Sequence, residues 1–209
     1  MKKKVALRLR EFIDSQYSNP RGVFGMYIGE KMVRQHRPET LWSIQQMKFH
    51  QSEKILELGC GAGFAMKLLL EQSSINKVVG LDLSQSILRS ASIRNRSQIK
   101  RGRARLVQSN VNQLDFPDEY FTKAFSIHSV YFWDNLSKTI LEIYRVLKPE
   151  GTILLTLCDG KNGEISDNIK ILVEQEIIPN LKQCGFRNIQ LLKGPDSRQF
   201  HTIAVKADK

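Results

Sequence analysis

Three glycines at alternating positions follow an apolar run and can bring a ligand against the main chain. The segment 55–64 reads ILELGCGAGF, with Gly59, Gly61 and Gly63 after a leucine-rich stretch. Glycine at these positions lets the backbone turn sharply and lie directly against a ligand, where a side chain would obstruct it. The pattern predicts a strand, a ligand-binding loop and a helix, in that order.

The spacing of the glycines and the charge beside them indicate which ligand the loop binds. A dinucleotide-binding loop carries its last glycine three residues after the second, and this chain has Phe64 there instead. The acid before the loop, Glu57, suits a cationic amino-acid moiety and would oppose a pyrophosphate at short range. Together these residues indicate S-adenosylmethionine.

A second candidate ligand-binding strand follows after about the length of one helix. The segment 77–82 reads KVVGLD and ends on the carboxylate of Asp82. In a strand–helix–strand unit, such a carboxylate can accept hydrogen bonds from both ribose hydroxyls. Asp82 is therefore the candidate ribose ligand.

Successive motifs along the chain resemble those of a known enzyme family. The sequences ELGCGAG, GLDLS, LDFPDEYF and RVLKPEG, spread over residues 53–158, are similar to motifs of the class I S-adenosylmethionine-dependent methyltransferases, especially the small type-11, UbiE-like group. The resemblance implies an α/β fold with a Rossmann-like, doubly wound, seven-stranded sheet. The sheet would be mostly parallel with an antiparallel last strand, plus an N-terminal helical cap. An unrelated nucleotide-binding Rossmann domain is the alternative.

The pattern of apolar runs alternates strands with helices, as such a sheet requires. The 209 residues, 41% of them hydrophobic, predict a single domain over 1–209, with a helical cap or lid over 1–48 and a Rossmann-like core over 49–209. We expect strands near 53–58, 77–82, 104–108, 123–127, 151–158, 187–193 and 199–206, and helices near 63–72, 84–98, 135–147 and 168–184, the last bent or interrupted at Pro179.

Composition excludes several classes of function. The chain has three cysteines, Cys60, Cys158 and Cys184, with no C-x-x-C pair and four scattered histidines, which predicts reduced thiols and no metal site. No apolar run reaches the length of a membrane span, and charged residues interrupt the start of the chain, so we expect a cytoplasmic protein. The motifs of enzymes that methylate nucleobase amines or cytosine carbon are lacking, which disfavours nucleobase methylation.

The net charge of +11 is concentrated in two clusters. One comprises Lys2, Lys3, Lys4, Arg8 and Arg10, and the other comprises Arg89, Arg94, Arg96, Lys100, Arg101, Arg103 and Arg105. The second cluster is expected at the edge of the sheet opposite the ligand. It forms either a solvated basic face or a docking surface for nucleic acid or another anionic surface. Neither cluster is interleaved with aromatic residues that would stack on bases.

The resemblance implies further cofactor residues besides Glu57, Asp82 and the glycine loop with its Cys60. Relatives read the adenine at the position of Asn110, usually with an aspartate, so this chain departs there. The Asn110 carbonyl can still accept a hydrogen bond from the adenine amino group, although an ordinary turn-forming asparagine is the alternative. Leu83 and Val111 are the apolar pair expected to sandwich the ring.

A segment before the core is similar to one that helps close the cofactor pocket in relatives. Gly25 and Gly29, four residues apart, permit close packing, either as part of that lid or as a simple helix crossing. Tyr27 and Met32 are the residues expected to make lid contacts.

The end of the fourth strand carries the candidate acceptor site. The segment 126–134 reads SIHSVYFWD and places His128 where the cofactor and the methyl acceptor would meet. His128 can bind the cofactor or take an acceptor proton, because the ordinary pKa of histidine is near working pH, or it can make a structural hydrogen bond. Tyr131 is a second catalytic candidate. Tyr131, Phe132 and Trp133 line an acceptor pocket or simply cover the sheet.

These patterns predict methyl transfer from S-adenosylmethionine, with S-adenosylhomocysteine as product, to a small and partly apolar metabolite. A sulfonium methyl is already activated, so no obligatory catalytic side chain is expected. The acceptor atom can be oxygen, nitrogen or carbon, and the oligomeric state is open. The alternatives are an RNA or protein methyltransferase that docks through its basic faces, and a catalytically silent interaction module of the same fold.

Overall fold

The computed structural model describes residues 22–209, apart from the side chains of Val23 and Phe24. The first basic cluster, Lys2 to Arg10, lies outside these described residues. Among residues 22–209, no helix is long and apolar enough to span a membrane.

A single twisted sheet forms the centre of the fold, with the strand order β3-β2-β1-β4-β5-β8-β7. The strands are β1 Glu53–Leu58, β2 Ile75–Asp82, β3 Ala104–Gln108, β4 Phe121–Ile127, β5 Leu147–Lys161, β6 Glu164–Ile165, β7 Arg187–Lys193 and β8 Phe200–Asp208. The pairs from β3 through β5 are parallel, and β8 enters antiparallel between β5 and β7. The predicted fold class is confirmed. The short β6, which pairs with the end of β5, adds an eighth strand that the sequence analysis did not anticipate.

Helices cover both faces of the sheet. They are α1 Gly22–Gln35, α2 Arg37–Gln46, α3 Phe64–Leu70, α4 Gln85–Arg94, α5 Arg96–Lys100, α6 Leu136–Val146, α7 Asp167–Ile171 and α8 Ile178–Cys184, with a 3₁₀ turn at Val130–Phe132. The helices α1 and α2 form the cap expected before the core.

Two helices differ from the sequence expectation. The helix expected over 84–98 is two helices that meet at Asn95, whose buried amide donates to the carbonyls of Gly63 and Ala91 and so ties the junction to the glycine loop. The helix expected over 168–184 is interrupted by a π-helical segment at Leu172–Ile177, just before Pro179. The wider turn of a π-helix accommodates Pro179, which lacks a backbone N–H and would crowd the preceding turn.

The central strand β1 is largely buried on both faces, and alternation along it decides which side chain faces which layer. Leu56 and Leu58 belong to the apolar cluster that continues beneath α6 and α8 and includes Phe116 and Phe121. Ile55 belongs to the opposite cluster, with residues of α2, α3 and α4. Glu57 is two residues further along β1 than Ile55, so it projects to that same side. Glu57, the acid at the carboxyl end of β1, therefore faces the cap.

Candidate active site

The glycine loop joins the carboxyl end of β1 to α3, and its three glycines all have positive φ. The angles are 73° at Gly59, 50° at Gly61 and 71° at Gly63. A Cβ at Gly59 would collide with Ser129, and one at Gly63 would lie 2.9 Å from the Cβ of Ala91. A Cβ at Gly61 would meet nothing within 4 Å. Packing therefore demands glycine at 59 and 63, whereas Gly61 faces open space where a ligand can approach.

Asp82 holds this loop in place. Its Oδ2 accepts a 2.9 Å hydrogen bond from the N–H of Gly61, and its Oδ1 accepts one of 2.9 Å from the N–H of Ser84 at the start of α4. Burial raises the pKa of Asp82, and these backbone hydrogen bonds oppose that shift. Each carboxylate oxygen retains a further lone pair for a ligand hydroxyl.

Glu57 is a buried acid without a full set of partners. It is 4% exposed, and its Oε2 has no hydrogen-bond partner. Burial raises the pKa of Glu57 well above its ordinary value, and the nearby Asp82 carboxylate raises it further. A cationic ligand group at this oxygen would supply the missing partner and favour the charged form.

These groups line one cavity, which we call the loop cavity, together with side chains of the cap. Its lining includes Glu57, residues 59–62, Asp82 and Ile87 from the core. From the cap it includes Gly29 and Met32 of α1, Thr40 of α2, and His36 between the two helices. Its volume is about 140 Å³. A Cβ at Gly29 would lie 2.8 Å from the Cδ1 of Ile87, so this glycine serves the close crossing of α1 on α4 and lines the cavity as well.

A second cavity, of about 280 Å³, adjoins the loop cavity. The two share Met32, His36, His128 and Phe132 as wall residues. The remaining lining of the second cavity is Glu39, Tyr131, Cys158, Arg198 and Phe200. Its walls are largely apolar and aromatic, with a few converging polar groups, as is usual for a small-molecule site.

His128 lies at the boundary between the two cavities. Its backbone adopts φ of 55°, and its N–H donates to the carbonyl of Thr156 at 2.9 Å. The ring nitrogen Nδ1 lies 3.3 Å from the hydroxyl of Tyr131, while the buried Nε2 has no partner. Burial lowers the pKa of His128 to about 3, with a smaller contribution from His36. His128 is therefore a neutral imidazole and lacks the near-neutral pKa on which the sequence argument relied.

Glu39, which is 1% exposed, carries the negative charge of the second cavity. Its Oε1 accepts a hydrogen bond from the guanidinium of Arg198 at 3.1 Å, and its Oε2 has no partner. Burial alone raises the pKa of Glu39, but hydrogen bonds with His36, the backbone and Arg198 outweigh burial and lower it to about 2. Glu39 is therefore a carboxylate at any physiological pH.

Tyr131 is held by the sheet as well as by His128. Its hydroxyl accepts a hydrogen bond from the N–H of Cys158, and its ring lies parallel to that of His128. Burial raises the pKa of Tyr131, so its phenol stays protonated.

The other aromatic and lid candidates take different places. Phe132, 48% exposed, lines both cavities. Trp133 donates from Nε1 to the Ser129 hydroxyl at 3.3 Å and packs on the core, outside the linings of both cavities. Tyr27, 65% exposed, lies in a surface groove between α1 and α4. Met32 alone of the two lid candidates lines the cavities.

The candidate adenine residues Leu83, Asn110 and Val111 are not among the lining residues of the loop cavity. Leu83 is 47% exposed and Val111 is buried in the core. The side-chain carbonyl of Asn110 accepts a 3.1 Å hydrogen bond from the N–H of Asn112, which is the turn role weighed above. Adenine binding by these residues stays a prediction.

Three charged or titratable residues of the second cavity escaped the sequence analysis: His36, Glu39 and Arg198. Arg198 is 159 positions from Glu39 in sequence, and no local sequence pattern predicts that the two residues form a pair. A carboxylate oxygen of Glu39 and ring nitrogens of His36 and His128 lie within 4.8 Å of one another. These residue types can bind a metal ion, and the expectation of no metal stays a prediction.

The second basic cluster is only in part a solvated face. Arg89, Arg96, Lys100, Arg101 and Arg105 are exposed. Arg103 donates to the carbonyls of Gln72 and Ile75. Arg94 was expected away from the ligand, and this was wrong, because its guanidinium binds the carbonyl of Ala62 in the glycine loop and the carboxylate of Glu30 on α1. Its side chain is 17% exposed.

The sheet order, the glycine loop and the carboxylate of Asp82 define a Rossmann-like protein of the class I methyltransferase type. Residues 56–155 match the methyltransferase domain family. The chain is 30% identical over 168 residues to a 2-phytyl-1,4-naphtoquinone methyltransferase of Nostoc, covering 79% of this chain and 73% of that enzyme.

Two further proteins match most of this chain, one in sequence and one in fold. The chain is 26% identical over 166 residues to the uncharacterized methyltransferase YdaC of Bacillus subtilis, covering 79% of this chain and 89% of that protein. A crystal structure of an S-adenosylmethionine-dependent methyltransferase from Aquifex aeolicus superposes with a TM-score of 0.69 at 17% identity, covering 87% of this chain and 97% of that one. The chain belongs to the class I S-adenosylmethionine-dependent methyltransferases.

Proposed function

We propose that this enzyme transfers a methyl group from S-adenosylmethionine to a small, partly apolar acceptor held in the second cavity. The observation that carries the proposal is the arrangement of the two cavities. The loop cavity is lined by Glu57, whose buried Oε2 has no hydrogen-bond partner, and it shares Met32, His36, His128 and Phe132 with the second cavity.

The residues of the loop cavity fit the methionine and ribose parts of the cofactor. The free Oε2 of Glu57 suits the methionine ammonium, and the remaining lone pairs of Asp82 suit the ribose hydroxyls. The enclosed volume of about 140 Å³ suits that end of the molecule, and the adenine would extend over the exposed Leu83 toward Asn110 and Val111. When bound, S-adenosylmethionine supplies an activated sulfonium methyl.

The residues of the second cavity hold the acceptor and exclude water. The cap contributes Met32, His36 and Glu39 to its walls, and the core contributes Tyr131 and Phe200. Positioning and exclusion of water are the main requirements of this reaction. A partly enclosed aromatic cavity favours a small acceptor over RNA or protein, and the internal contacts of Arg94 and Arg103 reduce the charge left for docking a macromolecule.

The test is calorimetric titration of the full chain with S-adenosylmethionine and S-adenosylhomocysteine, with NAD as the control ligand. We expect micromolar binding of the first two, none of NAD, and a loss of roughly 10- to 100-fold in Asp82→Ala, since hydrogen bonds to a charged group contribute about 1.5–3 kcal/mol. Asp115→Ala, at an exposed aspartate, is the matched control and should bind as the wild type does. Absence of cofactor binding in the wild type would refute the proposed enzyme and favour a silent module.

A further inference from the structure

Arg94, at the end of α4, connects two parts of the molecule that enclose the loop cavity. One nitrogen of its guanidinium donates to the carboxylate of Glu30 on α1, and another donates to the main-chain carbonyl of Ala62 in the glycine loop. Ala62 lines the loop cavity, whereas Arg94 and Glu30 line neither cavity. One guanidinium therefore joins the cap to the glycine loop from outside the site.

The two contacts of Arg94 are long-range and directional. Its side chain is 17% exposed, and its partners Ala62 and Glu30 are 32 and 64 positions away in sequence. A cation in the last turn of a helix commonly interacts with the carbonyls of that helix, but these hydrogen bonds of Arg94 go to two other elements. A planar guanidinium can donate from two nitrogens in fixed directions, which a single ammonium cannot do.

The peptide group that Arg94 holds is fixed on its other side by the loop itself. The carbonyl of Ala62 belongs to the same peptide group as the N–H of Gly63, which donates to the carbonyl of Cys60 at 2.9 Å. The side chain of Asn95 donates to the next carbonyl, that of Gly63, at 2.9 Å. Asn95 thus ties the loop to the core, whereas Arg94 ties it to the core and to the cap.

The cofactor site lies between the two parts that Arg94 joins. The loop cavity is lined by Gly29 and Met32 of α1 on one side and by Gly61 and Ala62 on the other. A ligand that contacts both sides binds more tightly when both are already held in the binding arrangement, because less conformational freedom is lost on binding.

Resting on the proposed binding of S-adenosylmethionine in the loop cavity, we infer that Arg94 is a positioning residue that couples cofactor affinity to the cap. The ion pair with Glu30 holds α1 beside the cavity, and the hydrogen bond to Ala62 holds the loop. Neither Arg94 nor Glu30 touches the ligand, so both act on affinity through the groups that they hold.

An ion pair that serves only the stability of the fold makes a different prediction. Its loss would destabilise the protein equally with and without ligand and would leave cofactor affinity unchanged. The Glu30 side chain is 46% exposed, and solvent screens such a pair, so its contribution to stability is small. A clear loss of affinity with little loss of stability therefore distinguishes positioning from a structural role.

The experiment is calorimetric titration of S-adenosylhomocysteine into the full chain as wild type, Arg94→Lys, Glu30→Gln and the double variant. Lysine keeps the charge but cannot hold the carbonyl and the carboxylate together, and we expect a loss of roughly 5- to 20-fold in affinity. Glu30→Gln should lose roughly threefold, since the bond to Ala62 stays. The double variant should lose about as much as Arg94→Lys alone, because both residues act through one connection.

Arg145→Lys is the matched control. Arg145 also donates to main-chain carbonyls, those of Leu114 and Phe116, and to carboxylates, those of Glu142 and Asp118, and it lines neither cavity. This variant should lower the melting temperature and bind S-adenosylhomocysteine as the wild type does.

Hydrogen exchange followed by mass spectrometry supplies a second readout that a structural role would not change. In the wild type, S-adenosylhomocysteine should slow amide exchange both in α1 and in the glycine loop. In Arg94→Lys at saturating ligand, the slowing should persist in the loop and be reduced in α1. Equal slowing of α1 in the variant and the wild type would contradict the coupling.

The other contrary outcomes are separable. Wild-type affinity in Arg94→Lys overturns the inference and leaves the proposed function intact. Additive losses in the double variant overturn it too, because Arg94 and Glu30 would then act independently, as does an equal loss of affinity in Arg145→Lys. If Arg94→Lys does not fold, unchanged affinity in Glu30→Gln overturns the inference by itself. Failure of the wild type to bind S-adenosylhomocysteine would instead defeat the proposed function.

Discussion

The loop cavity and the second cavity adjoin, yet they are built from the chain in opposite ways. The loop cavity relies on main-chain geometry and on residues close in sequence, such as Glu57, Gly61 and Asp82. The second cavity assembles side chains from distant segments, with Glu39 from α2 bonded to Arg198 near the start of β8. A short motif can hold a ligand that many enzymes share. A site for a ligand that differs between enzymes can instead change by substitution of single side chains.

The largest effect should come from Gly61→Val, which tests whether the loop cavity works through its main chain. Valine would fill the open space beside Gly61 and would be strained at φ of 50°. We expect cofactor affinity to fall by more than about 100-fold, because the valine side chain occupies the space through which the ligand approaches the loop. Calorimetry measures the loss.

The comparison variant is Gly59→Ala, whose Cβ would collide with Ser129. It should lower the melting temperature more than Gly61→Val does, because the collision is with the protein and not with the ligand. Normal cofactor affinity in Gly61→Val would show that the loop does not lie against the ligand.

A smaller effect is expected from Glu57→Gln, which should raise the stability of the unliganded protein and lower its cofactor affinity. The pKa of Glu57 is raised in the folded protein, first by burial and then by Asp82. A carboxyl with a raised folded pKa binds its proton more tightly when folded, so the stability of the unliganded protein falls as pH rises from about 4.5 through the folded pKa.

Glu57→Gln removes that pH dependence. We expect the free energy of unfolding to rise by about 1–2 kcal/mol at pH 7 and cofactor affinity to fall roughly tenfold as the ammonium loses its charged partner. Thermal melting between pH 4 and pH 9, with and without S-adenosylhomocysteine, checks both. A variant less stable than the wild type at neutral pH would contradict the account of Glu57 as an unpartnered acid.

The smallest effect is expected from Tyr131→Phe, which tests the second cavity. The variant loses the hydroxyl that accepts from the N–H of Cys158 and contacts His128 Nδ1. We expect a loss of about 0.5–1.5 kcal/mol in unfolding free energy, a several-fold loss of methyl transfer and no change in cofactor affinity. Weakened cofactor binding would mean that the two cavities are not separate in function.

The difference between the loop cavity and the second cavity also explains which features the sequence could predict. The alternation of strands and helices and the loop at Gly59 to Gly63 follow from local periodicity and spacing, whereas the antiparallel last strand is implied by the family resemblance, and the structure agrees with all three. The break at Asn95 depends on its hydrogen bond to Gly63, 32 positions away. The pair of Glu39 and Arg198 depends on the insertion of β8 beside β5. Contacts of this kind arise from the tertiary fold and produce no periodicity in the amino-acid sequence.

The pKa of His128 illustrates a second limit. A histidine near the methyl-transfer point suggests a general base, because free imidazole titrates near neutrality. Its burial between two cavities and beside His36 is a property of the assembled site, and it lowers the pKa to about 3. Residue type alone suggested a base at His128, but the pKa of this side chain depends on its surroundings.

The cap residues Met32 and His36 wall both cavities at once, and this has a kinetic consequence. A displacement of the segment that carries them would uncover the nucleoside end and the acceptor end together, so release of methylated product and exchange of spent cofactor become linked steps of the cycle. Arg94, which joins Glu30 on α1 to Ala62 in the loop, would resist that displacement.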